Sequence, residues 1–358
     1  MPLRISINAK RIEAPYGGGN RFCTLLEENL QARGCHVFRQ LAPKLDLIFI
    51  LAAERQLAIT AYDLEAIGEY VTINPNTAVV LRVNSCDEAR GADLGCNRQT
   101  LEAGRMADHA VFVSEFIRRH YVERGFDPAT PDSVILTGSD ERIFNPGGRA
   151  ERQGNEKLKI VTHHWSANLL KGFDIYQRLD ELLATEPFRD LFEFTYIGRL
   201  PLGMHFSQTR VLPTLDGVEL ARALKEHHLY VSAARYEAAG NHYIEAMRCG
   251  LPVLYLRSGS LPEYCAPYGV EFTLTDFEEK LLEIRDRYPE LRGRVLACPY
   301  GAAPMLNAYW NLFQRLVSER RANPRPAAPI GARLRHAARL LGRKIRSAGG
   351  KLLEPLRG

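Results

Sequence analysis

The stretch whose reading decides the fold is Leu229–Gly250, LYVSAARYEAAGNHYIEAMRCG. Leu229–Ala233 is apolar and β-compatible, as expected of a strand buried on both faces of a parallel sheet. Gly240 and Asn241 then open a segment whose apolar positions, Tyr243, Ile244 and Met247, recur at helical spacing, and Gly250 stands just past its end as a C-cap. Strand, loop and helix in this order put Glu237 at the carboxyl end of a strand, where open α/β sheets bind ligands. Glu245 falls about one turn into the helix. Free N–H groups around Gly240–His242 attract phosphate, and the neighbouring carboxylates accept hydrogen bonds from hydroxyls. A ligand carrying both a diphosphate and several hydroxyls satisfies the whole arrangement, and a nucleotide-sugar is such a ligand. The plain alternative is a solvated helix with two surface glutamates.

Outward from this stretch, strand-like and helix-like segments alternate. Leu3–Asn8, Asp46–Leu51, Val79–Val83, Ala110–Ser114 and Val134–Thr137 read as strands. After a polar, breaker-rich stretch at 145–155 the alternation resumes with Leu158–His163, Phe192–Ile197, Thr209–Leu212, Leu229–Ala233, Pro252–Leu256 and Val270–Phe272. Such alternation predicts parallel sheets covered by helices, and 358 residues suffice for two such domains. With 46% hydrophobic and 25% charged residues the composition is that of a globular protein. The longest apolar stretches, such as Leu45–Ala53, stop far short of the roughly 20 residues a bilayer span needs. No signal peptide is read at the N-terminus. Seven scattered cysteines without a C-x-x-C fit reduced thiols in a cytoplasmic protein rather than a zinc site.

Glu237-x7-Glu245 with Gly240 between them, the run Ala246-Met247-Arg248-Cys249-Gly250-Leu251-Pro252-Val253, and Gly259-Ser260-Leu261-Pro262-Glu263 together resemble the signature of retaining glycosyltransferases of the GT-B fold, family 4 (glycosyltransferases group 1). Ala107–Glu115 and Val134–Phe144 resemble further strand motifs of that family, with Thr137 where an asparagine is usual. The resemblance covers roughly residues 1–320. It implies two Rossmann-like domains facing a central cleft: an acceptor domain over 1–148, completed by a crossover helix at about 303–321, and a nucleotide-sugar donor domain over 157–300. It also implies that Glu237 grips the donor sugar, that Glu245 holds the ribose, and that Gly240, Asn241 and Lys171 (in Lys171-Gly172-Phe173-Asp174) meet the diphosphate. A lysine there neutralises charge on the leaving group, so no metal or other cofactor is expected. Gly17-Gly18-Gly19-Asn20, ahead of a helix at Arg21–Arg33, lets backbone approach a phosphate without a Cβ in the way, and the resemblance assigns that contact to Gly18 and Gly19.

The chain also departs from the family. Where an arginine usually precedes the lysine stands Thr162-His163-His164-Trp165-Ser166. A histidine or hydroxyl lacks arginine's bidentate fork, which leaves His164, Ser166 or Arg199 as substitutes, or plain packing at a strand end. In the N-terminal domain Asn84 stands where many members have a histidine, with Asp87 beside it as an acceptor contact or simply a helix cap.

From Arg325 onward seven arginines and two lysines face only Glu354. Residues 330–347 place Ile330, Leu334, Leu341 and Ile345 on one helical stripe, a pattern suited to an anionic membrane surface at the inner face of the plasma membrane, or to a disordered tail. No aromatic residues interleave the charges, so nucleic acid is not expected. The expected activity is transfer of a sugar from a nucleoside diphosphate to a glycan or lipid-linked acceptor. A nucleotide-sugar epimerase of the same fold and a non-catalytic nucleotide-sugar-binding subunit are the alternatives.

Overall fold

The computed structural model describes residues 2–12, 17–149, 151–154 and 156–326. Among these residues twelve strands form two six-stranded sheets, parallel throughout. The first contains β1 (Arg4–Ile7), β2 (His36–Phe38), β3 (Leu47–Ile50), β4 (Ala78–Val83), β5 (His109–Phe112) and β6 (Asp132–Val134), in the order β2-β1-β3-β4-β5-β6. The second contains β7 (Leu158–His164), β8 (Phe192–Gly198), β9 (Arg210–Leu212), β10 (Leu229–Ser232), β11 (Val253–Leu256) and β12 (Gly269–Phe272), in the order β12-β11-β10-β7-β8-β9. The inner strands are continuous apolar runs because helices cover both faces; Leu47–Ile50 and Leu229–Ser232 are buried at every position.

Edge strand β2 has no expectation in the sequence. His36–Phe38 is short and partly exposed, so it lacks the apolar run by which inner strands are read. The strand expected at Val134–Thr137 lies earlier, at Asp132–Val134. Thr137 has already left the sheet, and its amide donates to Tyr264 Oη of the second domain at 2.8 Å. Glycines 17–19 form the first turn of the Gly17–Ala32 helix rather than a loop ahead of it.

The final helix, Ala302–Ala322, packs Met305, Leu306, Tyr309, Phe313 and Leu316 into the core of the first sheet beside Phe22 and Phe49. Glu141 accepts from the Ala302 and Ala303 amides at 2.8 and 3.0 Å and caps its start. Arg149 is buried and donates to Tyr288 Oη (2.9 Å) and to the His227 and His228 carbonyls. The basic segment 330–347 lies outside the described residues. No described helix is long and apolar enough to cross a membrane, and all seven cysteines are buried and free.

Candidate functional site

The two sheets face each other across a cleft of about 590 Å3. One wall is the start of the Gly17–Ala32 helix with the end of β4; the other is built from the ends of β7 and β10 and the Asn241–Arg248 helix. Of the expected residues, Gly18, Gly19, Asn84, His164, Lys171, Glu237, Gly240, Asn241 and Glu245 line it.

Lys171 Nζ and Glu237 Oε2 meet at 2.6 Å. Two close glycine approaches position this pair. Gly172 sits at φ +86° against the end of β10, where a Cβ would fall 2.3 Å from the Ala233 carbonyl oxygen. Gly259, at φ +59°, lies under Glu237, with a hypothetical Cβ 2.6 Å from both its N and its O. The Ser260 amide donates to the Glu237 carbonyl at 2.8 Å, and Tyr236, immediately before the glutamate, is held at φ +54°. Gly259–Glu263 therefore serves as a backbone mould for the Glu237 loop. Its Glu263 also reaches the first domain, accepting from the Glu115 and Phe116 amides at the start of the Glu115–Val122 helix.

Glu245 is buried and doubly held. Oε1 accepts from Arg21 Nη1 at 3.3 Å, and Oε2 lies 3.2 Å from His163 Nε2. Arg21 comes from the opposite domain and also binds Asp216, so one guanidinium ties both walls together. His164 Nε2 is 2.9 Å from Tyr176 Oη, and His242 Nε2 is 3.1 Å from Ser232 Oγ. The His164 and His242 rings meet edge-on at 4.8 Å. Burial, and then the Lys171 charge and the neighbouring imidazoles, push both well below the ordinary histidine range. They are neutral at pH 7 and supply dipoles rather than charge.

Several expectations are corrected. The Gly240 N–H does not face the cleft as a free donor; it donates to Tyr243 Oη at 2.8 Å. The Asn241 and His242 amides, in the first helical turn, are the ones without intrahelical partners. Asp87 does not line the cleft. Its carboxylate accepts from the Leu94, Cys96 and Asn97 amides at 2.8–3.0 Å, which lowers its pKa despite burial. Ser166 is likewise turned away, its hydroxyl accepting from the Asn168 amide at 3.2 Å. Arg199 is exposed outside the cleft lining. Neither of these two lines the cleft.

Arg21, Arg82, Asp216 and His163 line the site without having been expected there. Asn20-Arg21 directly after the glycines was the one available signal, since it puts a cation on the first turns of a helix aimed at phosphate. Away from the cleft, Cys86, Glu88 and His120 have donor atoms within 4.8 Å of one another and could hold a metal ion. Glu88 is already engaged by Arg124 (2.8 Å) and Asn97 (3.0 Å).

Two parallel six-stranded sheets, a cleft at their carboxyl edges and a final helix returning to the first sheet decide the architecture. The chain has the GT-B fold. Solved structures agree with it over nearly all their length: sucrose-phosphate synthase from Thermosynechococcus elongatus (TM-score 0.62, 15% identity, 88% of this chain and 100% of that one), and Anabaena HepE in complex with UDP and glucose (0.62, 14%, 88% and 100%). WaaG, a glycosyltransferase involved in lipopolysaccharide biosynthesis, agrees similarly (0.61, 13%, 87% and 99%). At these identities the likeness is one of fold. In sequence, 168 residues are 25% identical to the sulfoquinovosyl transferase SQD2 of Arabidopsis thaliana, covering 44% of this chain and only 32% of that protein. No protein-family profile matches the chain.

Proposed function

We propose that this GT-B protein is a retaining, metal-independent glycosyltransferase. It would move a sugar from a nucleoside-diphosphate sugar to a hydroxyl on a lipid-linked or cell-surface glycan precursor. The observation that carries this reading is the Lys171–Glu237 pair beside buried Glu245, opposite the amide-bearing helix start at Gly18–Gly19. In this reading Glu237 accepts from the donor sugar's hydroxyls and Glu245 from the ribose, which takes the place of Arg21. Freed from Glu245, Arg21 turns to the diphosphate and supplies the guanidinium missing from the His163-His164 segment. Lys171 and the Asn241 and His242 amides meet the charge that grows on the leaving group, where preorganised donors count most. The names of SQD2 and of the HepE complex with UDP and glucose support a nucleotide-sugar donor. The basic segment 330–347 would hold the protein to an anionic membrane surface on the cytoplasmic side.

The test is a thermal-shift series with UDP-, GDP-, ADP- and TDP-sugars in metal-free buffer, repeated on Glu245→Ala. One donor class should stabilise the wild type, by roughly 2.7 kcal/mol at a hundredfold excess over Kd, and the variant should lose that gain. No stabilisation by any donor would refute the reading. Turnover of the sugar nucleotide without an acceptor would assign the chain to the epimerases instead.

A further inference from the structure

Arg82 is the last residue but one of β4, it lines the cleft, and it is 5% exposed. Its guanidinium lies 4.1 Å over the Phe22 ring. Phe22 stands one turn beyond Gly18 and Gly19 on the same helix, so the cation sits beside the glycine-bearing helix start. Among the described residues no carboxylate pairs with it, and both Nε and Nη1 lack a hydrogen-bond partner. The Tyr309 hydroxyl lies close enough to the guanidinium to sense its charge. The other cleft cations differ: Lys171 is held by Glu237, Arg21 by Glu245 and Asp216, and Arg142 by Asp140 and Glu28.

A buried, unpaired guanidinium is costly, and proteins rarely keep one without a counter-charge. Phe22 offers its ring face, which solvates a cation only in part. The unpartnered nitrogens are charged N–H donors, and an oxyanion is the acceptor that would satisfy their hydrogen bonds and the charge together.

We propose that Arg82 is the recognition residue for an anionic group, a carboxylate, phosphate or sulfonate, carried by the sugar-side ligand. This goes beyond the nucleotide diphosphate, which the proposed function leaves to Lys171, Arg21 and the helix amides, and it rests on that function for the statement that a sugar occupies the cleft. The anion belongs either to the transferred sugar or to the acceptor, and the two sources are separable by experiment.

The full chain and Arg82→Met are compared first without ligand. Methionine fills the same space and removes the uncompensated charge, so the variant should melt about 2 °C or more above the wild type. A structural arginine would give the opposite, a lower melting temperature, and would overturn the proposal. Both proteins are then titrated with glucose, glucuronate, glucose 6-phosphate and inorganic phosphate, which report the acceptor side, and with UDP-glucose against UDP-glucuronate (or the corresponding pair of the base that binds), which report the donor side. The wild type should prefer the anionic member of one series at least tenfold, and Arg82→Met should bind both members alike. A wild type that does not discriminate, or a variant that keeps the preference, refutes the assignment. Nucleoside diphosphate binding alone tests the underlying reading: it should survive in Arg82→Met, and its absence from the wild type would sink that reading while the melting shift and free-anion titrations still decide the role of Arg82.

Discussion

Gly259→Ala isolates the mould beneath Glu237 without touching a ligand-facing side chain. The added Cβ would stand 2.6 Å from the Glu237 N and O and 3.1 Å from the Tyr236 carbonyl carbon. Restoring ordinary contact at about 3.5 Å displaces one side by roughly 0.9 Å. Gly259 is tied to Glu237 through the adjoining Ser260 amide, and Tyr236 donates to Ser258 Oγ at 3.1 Å, so the displacement falls on the Glu237 loop. An L-residue at φ +59° adds about 1–2 kcal/mol, against which the stiffer unfolded chain returns roughly 0.5–1 kcal/mol. The expected loss of stability, contact strain included, is about 1–3 kcal/mol, with about a hundredfold loss of kcat from misplacing a catalytic group by nearly an ångström. Urea unfolding and steady-state transfer assays read the two quantities separately. Gly293→Ala is the control: a Cβ there meets nothing within 4 Å, its helix (Tyr288–Val295) is regular, and stability should rise by roughly 0.5–1 kcal/mol with kcat unchanged. A Gly259→Ala enzyme turning over within twofold of the wild type would refute the claim that this glycine sets the Glu237 backbone.

Other consequences can be read in parallel. Glu237→Gln and Lys171→Met should each lower kcat by about 10^2–10^3, and the double variant should lose little more than either one, because the side chains act as a pair; additive losses in a double-mutant cycle would show independent roles. A Cβ on Gly19 meets nothing within 4 Å among the described residues, so Gly19→Ala should fold with at least wild-type stability yet lose donor affinity at least tenfold; unchanged donor titration would remove this glycine from the site. His164 and His242 have folded pKa values depressed well below the usual 6.5 by burial. Their contribution is therefore complete above pH 6.5 and is lost as pH falls toward the folded values, at roughly 1.4 kcal/mol per pH unit for each. Melting curves from pH 7.5 to 5 should show this slope, made shallower by His242→Gln; a flat profile would mean both imidazoles are solvated.

The sequence by itself determined what depends on neighbours along the chain. Apolar runs such as Leu47–Ile50 and Leu229–Ser232 mark inner strands because helices bury them on both sides. Glycines at 172 and 259 could be read as motif members, and Glu237, Glu245 and Lys171 could be placed at strand and helix ends. The half-exposed edge strand His36–Phe38 escaped, having too little apolar patterning to announce itself. Asp87 and Ser166 show the limit within one loop: short polar side chains satisfy nearby backbone amides when these come within reach, and nothing in their spacing says whether a ligand or an amide will claim them. Only the tertiary structure decided how the charges pair. Arg21 meets Glu245 across 224 residues of sequence, and Nε and Nη1 of Arg82 are left without a hydrogen-bond partner among the described residues of the same cleft. Coulombic attraction and desolvation act over a few ångströms of space whatever the separation along the chain, so the partners of these side chains exist only once the two sheets have been brought face to face.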